Sequence, residues 1–131
     1  MKVLVADDSG TARMFITRCL EIAGLDNTEF VEVENGQEAY ERIEWDDIDL
    51  LVSDLNMPVM NGLELMEKLS KSPKFNTITS IVITSASTPE VDEKLKSFGV
   101  GAILSKPVTP IKVSEVLTAL NFITEEEEAS W

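Results

Sequence analysis

The sequence predicts an α/β fold, a doubly wound five-stranded parallel sheet covered on both faces by five helices. Three observations carry that expectation. Apolar runs of three to five residues recur along the chain and are near-continuous, as strands buried on both faces require. Each run is followed by a stretch with helical periodicity. Turn and cap residues separate the two kinds of segment. Alternating strands and helices joined by right-handed crossovers pair in parallel.

The elements follow in order. Residues 3–6 (Val-Leu-Val-Ala) read as the first strand. Residues 11–23 read as a helix, with Ser9 as its N-cap and Gly24 as its stop. Ala12, Phe15, Ile16, Cys19, Leu20, Ile22 and Ala23 make up its apolar face. Residues 30–33 form a second, weaker strand that Asn35-Gly36 breaks. Residues 37–45 form a short helix with Ala39, Tyr40 and Ile43 on one face. Residues 50–53 are the third strand, and Met57-Pro58 and Asn61-Gly62 are turn signals after it. Residues 63–69 are the third helix, with Leu63, Met66 and Leu69 inward. Residues 80–84 are the fourth strand, and Pro89 suits the first turn of a helix over 90–98. Gly99 and Gly101 flank a turn before the fifth strand, residues 102–104. Pro110 opens a last helix whose inward face is Ile111, Val113, Val116, Leu117 and Leu120.

A chain of 131 residues fits one compact domain, here expected over residues 1–122, with an acidic tail over 123–131. The net charge of −13 argues against nucleic acid as a direct partner and against an anionic membrane surface. The glutamate run 125–128 reads as a solvated terminus. Cys19 is the single cysteine and lies on the apolar face of the first helix, so it reads as core. Without histidine the chain has no His-based triad, His metal site or internal phosphohistidine. No signal-peptide pattern precedes the first strand and no apolar run approaches a membrane span, so a cytoplasmic protein is expected.

In open parallel sheets, sites form beyond the carboxyl ends of the strands. Strand one ends at Asp7-Asp8, strand three at Asp54, strand four at Thr84-Ser85, and strand five runs out at Ser105-Lys106-Pro107. Taken singly these are ordinary turn, cap and surface residues. Together they place carboxylates, a hydroxyl and an ammonium at one edge. Three crowded carboxylates repel one another. A hard divalent cation such as Mg2+ relieves that strain. A carboxylate nucleophile, a metal and a lysine are the parts that phosphoryl transfer requires.

These motifs resemble those of the CheY-like receiver family of two-component signalling. The resemblance covers about residues 2–122 and rests on Val5-Ala6-Asp7-Asp8-Ser9, the run from Asp54 through Asn56, Met57-Pro58 and Met60 to Asn61-Gly62, Ile83-Thr84-Ser85-Ala86, and Lys106-Pro107. It implies a flavodoxin/CheY-like sheet of order 2-1-3-4-5. It implies that Asp54 is the phosphoacceptor, that Asp8, Asp54 and the backbone carbonyl of Asn56 ligate Mg2+, and that Asp7 supports the ion through water. Thr84 would be the switch hydroxyl and Lys106 would bind a phosphoryl oxygen. Pro107 would follow a cis peptide bond. Ile103 departs from the pattern, because many family members carry Tyr or Phe at that switch position.

The expected mechanism is transfer to Asp54 from a sensor histidine kinase, a histidine phosphotransfer protein or a small donor such as acetyl phosphate. A downstream protein target would then read the face made by the fourth helix, fifth strand and fifth helix. Chemotaxis and phosphorelay roles both fit. Two alternatives share part of the chemistry. One is a Mg2+-dependent phosphohydrolase working through an aspartyl phosphate, although haloacid dehalogenase-type enzymes use Asp-x-Asp after the first strand and the aspartates here are adjacent. The other is a receiver-like scaffold that signals without phosphorylation. Met1 and the acidic end favour a stand-alone protein over a receiver within a longer chain.

Overall fold

The computed structural model describes residues 1–124, so the glutamate run 125–128 lies outside the described residues. Five parallel strands are ordered β2-β1-β3-β4-β5. They are β1 Lys2–Ala6, β2 Glu29–Val33, β3 Leu50–Asp54, β4 Thr79–Thr84 and β5 Ala102–Ser105. Five helices connect and follow them: α1 Gly10–Ala23, α2 Gly36–Trp45, α3 Gly62–Ser70, α4 Pro89–Ser97 and α5 Pro110–Ala119. A short 3-10 turn, Phe75–Thr77, precedes β4. Among the described residues no helix is long and apolar enough to cross a membrane.

Side chains alternate across the sheet, so each central strand feeds two cores. Val3 and Val5 of β1, with Leu50 and Val52 of β3, pack under α1 and α5 against Ile16, Leu20, Val113 and Leu117. Leu4, Ala6 and Leu51 face the other way, against Ala39 and Ile43 of α2, Leu65 and Met66 of α3, and Leu95 of α4. β3 is buried at all five positions. Burial on both faces therefore replaces the period-2 polarity of a half-exposed strand.

Side-chain caps set where the helices start. Ser9, Asn35, Asn61, Thr88 and Thr109 each accept a hydrogen bond from a first-turn backbone N–H. At Asn61 the cap is reciprocal, since Glu64 Oε1 accepts from the Asn61 N–H at 3.0 Å. Asn35-Gly36 stands where the strand has ended, since β2 stops at Val33, and the same pair opens α2, with the Asn35 carboxamide oxygen capping a helix whose first residue is Gly36. Its N–H donates to the Met60 carbonyl at 2.9 Å. A Cβ at Gly36 would lie 2.5 Å from that same oxygen.

The apolar phase of two helices differs from expectation. Phe15 and Ile22 are 53% and 42% exposed, and Ile111 is 60% exposed. In α1 the buried stripe is Ile16, Cys19, Leu20 and Ala23, spaced at three and four residues. Phe15 and Ile22 each precede a stripe residue and lie about 100° around the helix from it. In α5 the buried residues are Val113, Ser114 and Leu117. Ile111 is two residues before Val113 and projects outward.

Gly62 ties the fold to the site. Its N–H donates to the Leu55 carbonyl at 2.8 Å. A Cβ there would meet the Asp54 carbonyl oxygen at 2.5 Å and the Leu55 Cα at 2.9 Å. Backbone cannot yield as a side-chain tip can. Gly62→Ala is therefore expected to lower the unfolding free energy by about 1–3 kcal/mol. Urea unfolding followed by circular dichroism measures it. An unchanged midpoint would show that the loop opens without cost.

Candidate functional site

Parallel pairing brings the carboxyl ends of the strands to one edge. Register aligns Ala6 with Ser53, Asp54 with Ile83 and Thr84 with Ser105. Residues that leave β1, β3, β4 and β5 at this edge are therefore neighbours. Asp7, Asp8 and Asp54 come together there, with one carboxylate oxygen from each lying within 4.8 Å of the others.

Asp54 closes β3 and is 5% exposed. Its Oδ1 accepts from the Leu55 N–H at 2.9 Å and lies 3.3 Å from Lys106 Nζ. Ser53 Oγ donates to the Asp54 carbonyl at 2.9 Å. Backbone and carboxylate are thus both oriented. The Lys106–Pro107 peptide bond is cis. The Lys106 N–H donates to the Thr84 carbonyl at 2.8 Å, which keeps the lysine beside the end of β4. Its side chain reaches the carboxylates while remaining partly open to solvent.

Asp7 is 1% exposed. Its Oδ1 accepts from the Ser9 N–H at 2.9 Å, but its Oδ2 is buried and has no hydrogen-bond partner. The Lys106 ammonium is 3.9 Å from that oxygen. Burial pushes the Asp7 carboxyl above its ordinary range and the Asp54 charge adds to the rise, opposed by the Ser9 N–H and Lys106. A buried orphan oxygen beside two further carboxylates fits a hard cation with oxygen ligands. Asp7, Asp8 and Asp54 are the residues that could hold it.

An upward shift has a definite consequence for stability. The folded state holds the Asp7 proton more tightly than the unfolded chain does, so that contribution is complete below the unfolded pKa of about 3.9. It is lost as pH rises through the higher folded value. Asp7→Asn is therefore expected to raise the thermal midpoint of the metal-free protein at pH 7 by a few degrees, and to remove much of any further rise on adding Mg2+. Scanning fluorimetry with and without the ion checks both. A lower metal-free midpoint for the variant would contradict the electrostatic account.

The remaining predicted residues lie on β3, β4 and β5 or just beyond their ends. Thr84 is 1% exposed at the end of β4, and its Oγ1 accepts from the Ala86 N–H at 3.2 Å. Asn56 and Ala86 are exposed. Ile103 is half-buried on β5 and packs into the core under α2, α3 and α4. It is paired in register with Val82. Arg13 is not among the predicted residues. Its Nη1 donates to the Asp7 carbonyl at 2.7 Å and its Nε to Glu32 Oε1 at 2.9 Å. A long basic side chain in the first turn after the Asp-Asp pair is the only sequence signal for it.

Comparison with known proteins agrees with this arrangement. Residues 3–118 match the family model of the response regulator receiver domain. The chain is 40% identical over 119 residues to chemotaxis protein CheY1 of Helicobacter pylori, covering 89% of this chain and 94% of that protein. It is 39% identical to the chemotaxis protein CheY homolog of Campylobacter jejuni, covering 89% of each. The solved structure of the chemotaxis response regulator CheY4 of Vibrio cholerae superposes with a TM-score of 0.78 at 28% identity, over 91% of this chain and 97% of that one.

Proposed function

Because the chain belongs to the response regulator receiver family, we propose that it accepts a phosphoryl group on Asp54 and signals by changing its protein–protein contacts. One observation carries this reading. A buried carboxylate lies 3.3 Å from a lysine ammonium and has an oxygen within 4.8 Å of oxygens from two further carboxylates.

In the proposed reaction an Asp54 carboxylate oxygen attacks phosphorus. With a phosphohistidine donor the P–N bond breaks and the departing imidazole nitrogen takes a proton from solvent. With acetyl phosphate a P–O bond breaks and acetate leaves. The Leu55 N–H holds one Asp54 oxygen, which restricts the carboxylate to a narrow range of approach. Lys106 meets the charge on the transferring oxygens. Mg2+ is the proposed ion, with Asp8, Asp54 and the Asn56 backbone carbonyl as ligands and Asp7 acting through water. When bound, it neutralises charge on the phosphoryl oxygens. Hydrolysis returns the carboxylate, with the exposed Asn56 and Ala86 side chains bordering the approach of water.

The signal is proposed to leave through Thr84 and Lys106. Both touch the β4–β5 edge, since the Lys106 N–H bonds the Thr84 carbonyl. Ile103 lies on that edge, in the same apolar core as Leu95 of α4. An aliphatic side chain there can repack against α4 but has no ring to rotate. The proposed target is a protein that reads the α4–β5–α5 face. Sensor kinases and histidine phosphotransfer proteins are the proposed donors, and the chemotaxis names of the relatives make a motility target the first to try. Residues 1–122 are the proposed receiver unit, acting in the cytoplasm.

Incubation with acetyl phosphate tests the reading by intact mass. One phosphoryl group per chain is expected with Mg2+ and none with a chelator. No adduct with any donor would leave the scaffold alternative.

A further inference from the structure

Three like charges packed within 4.8 Å of one another spread apart unless the backbone beneath them is held. The turn carrying Asp7 and Asp8 is held at several points. The Asp7 N–H donates to the Val33 carbonyl of β2 at 3.2 Å. The Asp7 Oδ1 accepts from the Ser9 N–H at 2.9 Å. The Asp7 carbonyl accepts from Arg13 Nη1 at 2.7 Å. The first joins main chain to main chain, and the second uses the carboxylate of Asp7 itself. Arg13 is the hold supplied by a side chain from outside the turn.

Arg13 is itself braced. Its Nε donates to Glu32 at 2.9 Å, and Glu32 is the β2 partner of Val5 in register. The guanidinium is planar and rigid, so two bonds from one fork fix its orientation. Its side chain is 15% exposed, which limits competition from water. It bridges α1, β2 and the end of β1.

We propose that Arg13 is a positioning residue for the acidic pocket: it bonds the Asp7 main-chain carbonyl, is steadied by Glu32, and keeps the Asp7–Asp8 turn from relaxing away from Asp54. The proposal rests on the reading of that pocket as a cation and phosphoryl site, and it adds a residue outside the ligand set.

The sign of the effect separates this role from the others available to a half-buried arginine. A guanidinium bonded to the main chain of one of these aspartates opposes a further cation nearby, so its charge alone weakens Mg2+ binding, and removing it would tighten binding. A purely structural arginine would leave the affinity unchanged and lower only the thermal midpoint. Loss of positioning weakens binding, by roughly tenfold or more when an outer-shell partner is removed.

Calorimetric titration of Mg2+ into metal-free protein reads this directly, with thermal midpoints measured beside it so that only folded protein is titrated. Arg13→Ala is expected to weaken Mg2+ binding about tenfold. Arg13→Met keeps most of the buried stem and replaces it if the alanine variant does not fold. Arg13→Lys keeps one donor and is expected to restore most of the affinity. Glu32→Gln removes only the brace and is expected to weaken binding less, in the same direction. Unchanged or tighter binding in both Arg13→Ala and Arg13→Met, with wild type binding normally, overturns the role of Arg13 alone. A wild-type protein that takes up no Mg2+ overturns the metal reading and the Arg13 role with it.

Discussion

Lys106→Met is expected to slow phosphoryl uptake from acetyl phosphate by about 10²–10³-fold, the scale of removing one preorganised charge from a transfer site. Lys106 Nζ lies 3.3 Å from Asp54 Oδ1 and 3.9 Å from Asp7 Oδ2. In the resting protein it offsets part of the carboxylate repulsion. In the proposed transfer the same ammonium would meet oxygens whose charge is being redistributed. Methionine keeps the length of the apolar stem and removes the charge. The variant should fold, and Mg2+ should bind as well as to wild type or better, because a competing cation has gone. Adduct mass against time at saturating Mg2+ measures the rate, and titration of the ion measures the affinity. A rate near that of wild type would remove Lys106 from the chemistry.

Asp54→Asn is expected to reduce uptake further, by at least about a thousandfold. The amide is nearly isosteric, so the Leu55 N–H keeps an acceptor, but an amide oxygen is a poor nucleophile. Neither neighbour substitutes readily. Asp7 is buried, with one oxygen committed to the Ser9 N–H, and Asp8 leaves β1 and not β3. Removing one of three like charges should also stabilise the metal-free fold. Both effects appear in one preparation, by intact mass and by thermal midpoint. An adduct of equal yield in the variant would move the acceptor elsewhere.

Most of the architecture was legible because burial on both faces leaves a simple trace. The valine and leucine runs in β1 and β3 cannot be half-exposed strands, and each is followed by a capped helix. The grouping of Asp7, Asp8, Asp54 and Lys106 was legible for a topological reason: parallel strands deliver their ends to one edge, so residues far apart in sequence become neighbours once the order is known. The order itself came from resemblance, since hydrophobic pattern alone does not choose among arrangements of five strands.

What was not legible depended on neighbours. Phe15 and Ile22 lie within one residue of the buried stripe of α1, and only the packing of that helix on the sheet and on α5 decides which side of the stripe stays wet. Asn35-Gly36 carries a turn composition that also suits an N-cap, and the Met60 carbonyl settles it. Arg13 left only a weak trace, a basic residue soon after the Asp-Asp pair, because its bond to the site is to the Asp7 main-chain carbonyl, which no residue type announces.

Borohydride reduction of the phosphorylated protein tests the account most directly. Hydride attack on an acyl phosphate releases phosphate and reduces the aspartyl carbonyl to an alcohol, which marks the acceptor for peptide mapping. Homoserine at position 54, formed only when Mg2+ and donor are both present, is the predicted result. Homoserine at position 7 or 8, or phosphate retained on a hydroxyl side chain after reduction, would contradict it.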